Sequence, residues 1–216
     1  MWCIPKLTAE FKERMENLLE LYLKPLDPKE PVICLDEKSK QLLEDSRVGM
    51  DMEPGKTAVR DYEYVRKGTA NIFVGVEPKG GKHYTEVTKR RTKQDYAKFL
   101  QDLIEHYPQA DCIHIVQDNL NTHSEESLKV TFGKRKTKKI MKRVKFHFTP
   151  KHASWLNMAE IEIGVLGRQC LKRRIPSMKM LTHEVMAWKK RQNKEKRIIK
   201  WKFDKEKAKK VFPSLY

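Results

Sequence analysis

The chain has little cysteine, no long apolar run and too few acids to balance its bases. Cys3, Cys34, Cys112 and Cys170 are scattered without a Cys-x-x-Cys spacing. That argues against a zinc site or a disulfide scaffold and for free thiols, three of them inside apolar stretches. No two of the seven histidines stand four residues apart, so no helix carries an imidazole pair to grip zinc. No apolar stretch approaches the roughly 20 residues that span a bilayer. The opening MWCIPKLTAEFKERMENLLE carries acids and no secretory apolar core, so a soluble, intracellular protein is expected. Against 29 acids stand 46 lysines and arginines, a net charge of +17. Such a surplus points to a polyanion, nucleic acid ahead of an acidic membrane.

A length of 216 residues suits one domain with appendages. We expect a helical lead-in over 1–30, a main domain over 31–178 and a basic helical extension over 179–216. Residues 8–24 have helical period, opened by Thr8 and closed by a turn over 25–28. PVICLDEK reads as a strand buried on both faces and therefore central. Residues 57–66 and 69–76 are strand-like, and a turn at Gly80 and Gly81 leads into KHYTEVT, an antiparallel meander. The helical period returns over 92–107, with Tyr96, Phe99, Leu100 and Leu103 on one face. The strand CIHIVQDN ends in the polar pair Asp118 and Asn119, Ser124 caps a helix over 125–132, and VKFHF is a last short strand. Strands in sequence, then strands alternating with helices, predict an α/β chain: a mixed five-stranded sheet flanked by helices, the layout of the ribonuclease H-like fold.

In TPKHASWLNMAEIEIGVLGRQCLKRR (149–174), helical spacing counted from Leu156 puts Ala159, Ile163, Leu166 and Cys170 on a buried side. Glu160 falls within that side, and Glu162, about 200° away, is expected in solvent. A carboxylate facing a core is costly unless a cation meets it, so Glu160 is a candidate metal ligand. Asp36 and Asp118 lie near the ends of the two buried strands, and neighbouring strand ends open into one crevice. Three converging carboxylates repel unless a divalent ion neutralises them, and Mg²⁺ or Mn²⁺ suits oxygen ligands. Two such ions support phosphoryl transfer by in-line displacement. Taken singly, each acid has a plainer reading: Asp36 ending a strand in a turn, Asp118 capping a loop, Glu160 paired with a lysine or arginine.

The segments CLDEKSKQ (34–41), VQDNLNTHS (116–124) and TPKHASWLNMAEIEIGVLGRQCL (149–171) resemble, in order, the three catalytic blocks of insertion sequence 630 family transposases. These are bacterial relatives of mariner within the DDE transposase superfamily. The third block is the long, specific one, and the resemblance extends from about Trp2 to beyond Arg174. It implies that Asp36, Asp118 and Glu160 are the catalytic, metal-binding acids, with Glu37 a lesser candidate for the first position. Asn119, His123, His152, Ser154, Trp155 and Asn157 match motif positions that shape the site or touch DNA. The implied activity is DNA cleavage followed by attack of the freed 3′-hydroxyl on target DNA, in the bacterial cytoplasm at the nucleoid. Two other readings are a DNA-binding remnant that no longer transposes and a ribonuclease H-like nuclease.

The acid-free run KRKTKKIMKRVKFHFTPK (134–151) lies between the second and third blocks. We therefore expect Lys134, Arg135, Lys136, Lys138, Lys139, Lys142, Arg143, Lys151 and His152 near the site, on DNA phosphates. The basic tail carries Trp188, Trp201 and Phe203; Trp188, at helical spacing from Val185 and Leu181, is read as a packing residue, and the tail as contacting DNA or a second protomer. About 30 residues precede the first catalytic strand, one helix and no helix-turn-helix region of the kind that reads transposon ends in this family. A homodimer, or a partner polypeptide supplying that region, is the corresponding expectation.

Overall fold

In the computed structural model, which describes residues 7–216, an apolar strand sits at the centre of the sheet. Trp2 and Cys3 lie outside the described residues. The central strand β1 (Val32–Asp45) pairs antiparallel with β2 (Tyr64–Glu77) and parallel with β4 (Ile113–Gln117). With β3 (Lys82–Thr88) and β5 (Val144–Phe148) the order is β3-β2-β1-β4-β5, the expected mixed five-stranded sheet.

Ile33, Cys34 and Leu35 are all buried because helices cover both faces of β1. On one face Ile33, Leu35, Phe73 and Ile115 meet α2 (Lys93–Glu105) and α3 (Glu125–Met141) through Tyr96, Phe99, Leu100 and Leu128. On the other, Cys34 and Val116 meet α1 (Ala9–Leu23) and the start of α4 (Ala159–Leu166). Val74 packs there against Leu166 of α4 and Trp188 of α5 (Met178–Glu195). The chain then returns over α1, with Phe203, Ala208 of α6 (Lys205–Val211) and Phe212 in the α1 cluster. Trp188 is buried beside Leu181 and Val185, a packing residue.

Three elements differ from expectation. Residues 57–63 do not form a strand: Val59 makes an isolated bridge to Met50, and Arg60 and Asp61 spend their charges on Asp45 and Arg47 instead of continuing the ladder. The helix expected over 125–132 runs on to Met141 through Gly133, where φ 75° and ψ 166° break the helical path. The helical extension expected over 179–216 stops at Lys196, left-handed at φ 48°, and resumes where the Asp204 carboxylate caps α6. Cys34 and Cys170 are buried free thiols and Cys112 is half-buried. Among the described residues no helix is long and apolar enough to cross a membrane.

Candidate active site

Parallel pairing brings the two aspartates together. Val32 stands beside His114 and Cys34 beside Val116, and the same register carried two residues further sets Asp36 alongside Asp118. Period-two alternation puts Asp36 on the Cys34 face, the side from which α4 approaches. Glu160, in the first turn of α4, completes the group. The Asp36 carboxyl is pushed up to about 7, first by burial and then by the charges of Glu37, Asp118 and Glu160, although the Glu37 amide donates to it at 2.7 Å.

The chain reaches α4 through a constrained loop. Thr149 N donates to Gln117 O at 3.0 Å, which ties the loop to the end of β4. His152 adopts φ 62°, a single 3₁₀ turn spans Ser154–Leu156, and Tyr22 Oη donates to the Leu156 carbonyl at 2.7 Å. Asn157 is buried and works in both directions: its Nδ2 donates to Leu35 O at 2.9 Å and its Oδ1 accepts from Ala159 N at 3.1 Å. It joins the residue before Asp36 to the residue before Glu160.

That loop rotates the buried face of α4 from the one expected. Leu156, Ala159, Leu166 and Cys170 are buried as the count from Leu156 has them, but Ile163 is only half-buried and the two glutamates exchange places. Asn157, extended at ψ 112°, interrupts the helical path between Leu156 and Ala159. The buried residues of α4 are Ala159, Glu162, Val165 and Leu166. Glu160 is exposed on the opposite side, whereas Glu162, expected in solvent, is 2% exposed and meets His83 Nε2 at 3.0 Å. The core-facing carboxylate of α4 is therefore Glu162, and the partner that meets it is the His83 imidazole.

His123 is the cationic centre of the site. Its Nδ1 donates to Asp118 Oδ1 at 2.6 Å, and its Nε2 stands 2.9 Å from Glu37 Oε2 as an ion-pair contact. The Tyr96 ring packs against it at 4.8 Å. Burial pushes its pKa down, but the Asp118 and Glu37 carboxylates outweigh that and raise it to about 9. Half-burial pushes Asp118 up in turn, yet the His123 bond, the Leu120 amide and Arg91 hold it below the usual range. Glu37 itself turns to the α2 side, bound by Arg91 at 3.0 Å, away from the face that carries Asp36. Gln117 links Tyr96 Oη at 2.7 Å to the His123 carbonyl at 3.1 Å. Gln117 had a visible signal, a polar residue closing an apolar strand; Arg91 had none, since the chain brings it from 54 residues away.

Beside Asp118 opens a cleft of about 670 Å³ lined by Asn119, Lys151, His152, Ser154 and, from α1, Arg14. Asn119 also donates to Thr149 O at 3.4 Å. Trp155 is 41% exposed, packs edge-on to Phe203 at 5.2 Å and does not line the cleft. The remaining basic residues do not gather here. Lys134, Arg135, Lys136, Lys138 and Lys139 are exposed on the second half of α3, and Lys142 follows it. Arg143 spends its guanidinium on the carbonyls of Tyr107 and Ala110, and its own carbonyl accepts from Ile113. Ile113 begins β4 and Asp118 follows its end, so Lys142 and Arg143 lie a strand's length, about 17 Å, from the acids. Helix α3 carries the run away from the site before β5 returns to it.

Among the described residues no three carboxylate, imidazole or thiolate groups already stand in ligand geometry around one point. The donor set nevertheless fits a hard divalent ion. Asp36, Asp118 and Glu160 are oxygen donors, and their mutual repulsion, visible at Asp36, is what a cation relieves.

The chain belongs to the DDE superfamily endonuclease family, whose model matches residues 31–182 and so spans all three acids. Among solved structures, it is similar to the Mos1 mariner paired-end complex with Mn, with a TM-score of 0.58 and 16% identity over 91% of this chain and 60% of that one. A Mos1 transposase paired-end complex with left transposon end gives 0.59 and 16%, over 91% and 62%. A pre-cleavage Mos1 transpososome gives 0.59 and 16%, over 100% and 62%. The likeness shows a shared fold, the ribonuclease H-like one, and the chain spans about three fifths of the length of those proteins. No curated protein sequence matches it significantly.

Proposed function

We propose that the chain is the catalytic domain of a transposase of the insertion sequence 630 group, cutting DNA and joining the freed end to a target. The observation that supports this is the convergence of Asp36, Asp118 and Glu160 from three separate segments, beside a strand-end cleft lined by Asp118, Lys151 and His152. Asp36, Asp118 and Glu160 would hold Mg²⁺ or Mn²⁺, two ions in this reading. Such ions, when bound, stabilise charge on the oxygens of a phosphodiester undergoing in-line displacement. Lys151 and His152 seat the phosphate in the cleft. His123 keeps Asp118 ionised and fixes its direction, and Asn157 keeps the Asp36 strand and the Glu160 helix in register. In the reaction a water oxygen attacks phosphorus and the P–O3′ bond breaks; the released 3′-hydroxyl then attacks a target phosphorus, whose own P–O3′ bond breaks to leave a target 3′-hydroxyl.

Incubation of supercoiled plasmid with the protein and Mn²⁺ tests this, with Asp118→Ala beside the wild type. We expect nicking by the wild type, abolished by EDTA and by the substitution. Equal nicking by the two proteins rejects the assignment. Salt-dependent DNA binding with no Mn²⁺-dependent nicking identifies a DNA-binding remnant instead.

A further inference from the structure

Helix α4 has only eight residues and no side-chain cap at its start. Its apolar contacts through Ala159, Val165 and Leu166 have no direction and tolerate rotation. A carboxylate oxygen lies on the order of 6 Å from a helix axis, so a turn of about 20° displaces it by about 2 Å. A misplacement of about 1 Å at a reacting centre can cost about a hundredfold in rate. Something directional must therefore set the phase of α4. Before the helix Asn157 does so from one side; within it, Glu162 is the polar side chain turned inward.

Glu162 reaches across β2 to β3, where Nε2–H of His83 donates to Oε2 at 3.0 Å, with both residues almost fully buried. His83 pairs with Val76, which pairs with Cys34, so it lies on the sheet face that carries Asp36. It is itself immobilised. Asn193 of α5 accepts from His83 N at 2.7 Å and donates to His83 O at 3.0 Å, and Trp188 packs edge-on to the ring at 5.6 Å. The same helix holds the π-helical turn after α4, because Trp188 and Gln192 both donate to Gln169 Oε1, at 2.9 and 3.1 Å. Stability does not explain a buried polar pair here. Replacing a buried pair by apolar side chains of similar volume is commonly neutral or stabilising by about 1–4 kcal/mol, and apolar Val165, Leu166 and Trp188 pack in the surrounding cluster.

We propose that the Glu162–His83 pair is the rotational lock of α4: α5 fixes His83, His83 fixes Glu162, and Glu160, on the far side of the helix, is thereby aimed at Asp36 and Asp118. Glu162 and His83 are positioning residues, and the proposal rests on Glu160 being the third acid of the site.

The test uses the full chain with Glu162→Met, Glu162→Gln and Glu160→Gln. Metal-free stability is followed by urea unfolding, Mn²⁺ affinity by paramagnetic resonance of free Mn²⁺, and plasmid nicking as kcat and KM. The Met variant should be at least as stable as wild type, bind Mn²⁺ about tenfold more weakly and lose kcat about a hundredfold with KM for DNA unchanged. Gln, whose amide oxygen still accepts from His83, should recover most of both losses. A Met variant with wild-type Mn²⁺ affinity and kcat overturns the lock. So does one that fails to fold, because the pair would then serve stability, and so does a Gln variant as impaired as Met. Unchanged Mn²⁺ affinity in Glu160→Gln removes the reading of the site itself, whereas a loss there alongside an intact Met variant removes only the lock.

Discussion

At His147 a neutral imidazole is built into the wall between α1 and the edge strand β5. Its Nδ1–H donates to Asn17 Oδ1 at 2.8 Å and its Nε2 accepts from His114 Nδ1 at 2.9 Å. Burial, then the charges of His114, Lys145 and Lys24, push its pKa down to about 4. In the unfolded chain it lies near 6.5, so between the two values the unfolded chain binds more protons. The contribution of His147 to stability is complete above about pH 6.5 and is lost as pH falls towards 4. Because the raised Asp36 carboxyl works in the opposite direction over the same window, the test is a difference: urea unfolding at about pH 7 and about pH 4.5 should show the wild type losing on the order of 2–3 kcal/mol more than His147→Gln, which keeps a donor for Asn17. Equal pH slopes in the two proteins reject the assignment. Residues were legible in the sequence where a motif named them. The blocks single out Asp36, Asp118 and Glu160 as the proposed acids, but the surroundings of Glu162 and Glu37 are set by His83 and Arg91, partners far away in the chain.

Helical periodicity reads a face correctly only while the helix is continuous. The 92–107 segment is unbroken, its Thr92 capping box starts it, and its apolar face was legible in advance. In α3 the count fails at Gly133. Leu128 and Ile140 are twelve residues apart, which a regular helix would place about 120° apart, yet both pack into one core. The non-helical Gly133 resets the phase, as Asn157 does ahead of α4. A Cβ at Gly133 would meet no atom within 4 Å, so the cost of a side chain there is purely one of backbone conformation. Gly133→Ala should destabilise by about 1–3 kcal/mol, measured by urea unfolding; a neutral result means that the two arms of α3 join without strain.

Over the whole molecule the basic run 134–152 divides between two places. Lys151 and His152 flank the acids in the cleft, while Lys134, Arg135, Lys138 and Lys139 sit further along α3. If the α3 group holds DNA phosphates, replacing all four by Ala should weaken binding in every sequence and lower the slope of log K against log salt by about 1 per lost contact. Nicking at saturating DNA should be unchanged, because none of the four lines the cleft. Lys151→Ala should reduce nicking itself. Fluorescence anisotropy across salt concentrations and plasmid nicking separate the two, and an unchanged salt slope takes the α3 group out of the DNA interface.

Local hydrophobic pattern and short motifs were enough to read the layered α/β plan, the central place of the PVICL strand and the order of the three acidic blocks. Which glutamate of α4 is exposed and which is buried, and which basic residues stand beside the acids, follow from contacts between distant segments. Those outcomes depend on the phase resets at Asn157 and Gly133 and on partners such as His83, Arg91 and Tyr107 that the fold brings from distant parts of the chain. A pattern read along the chain has no access to either.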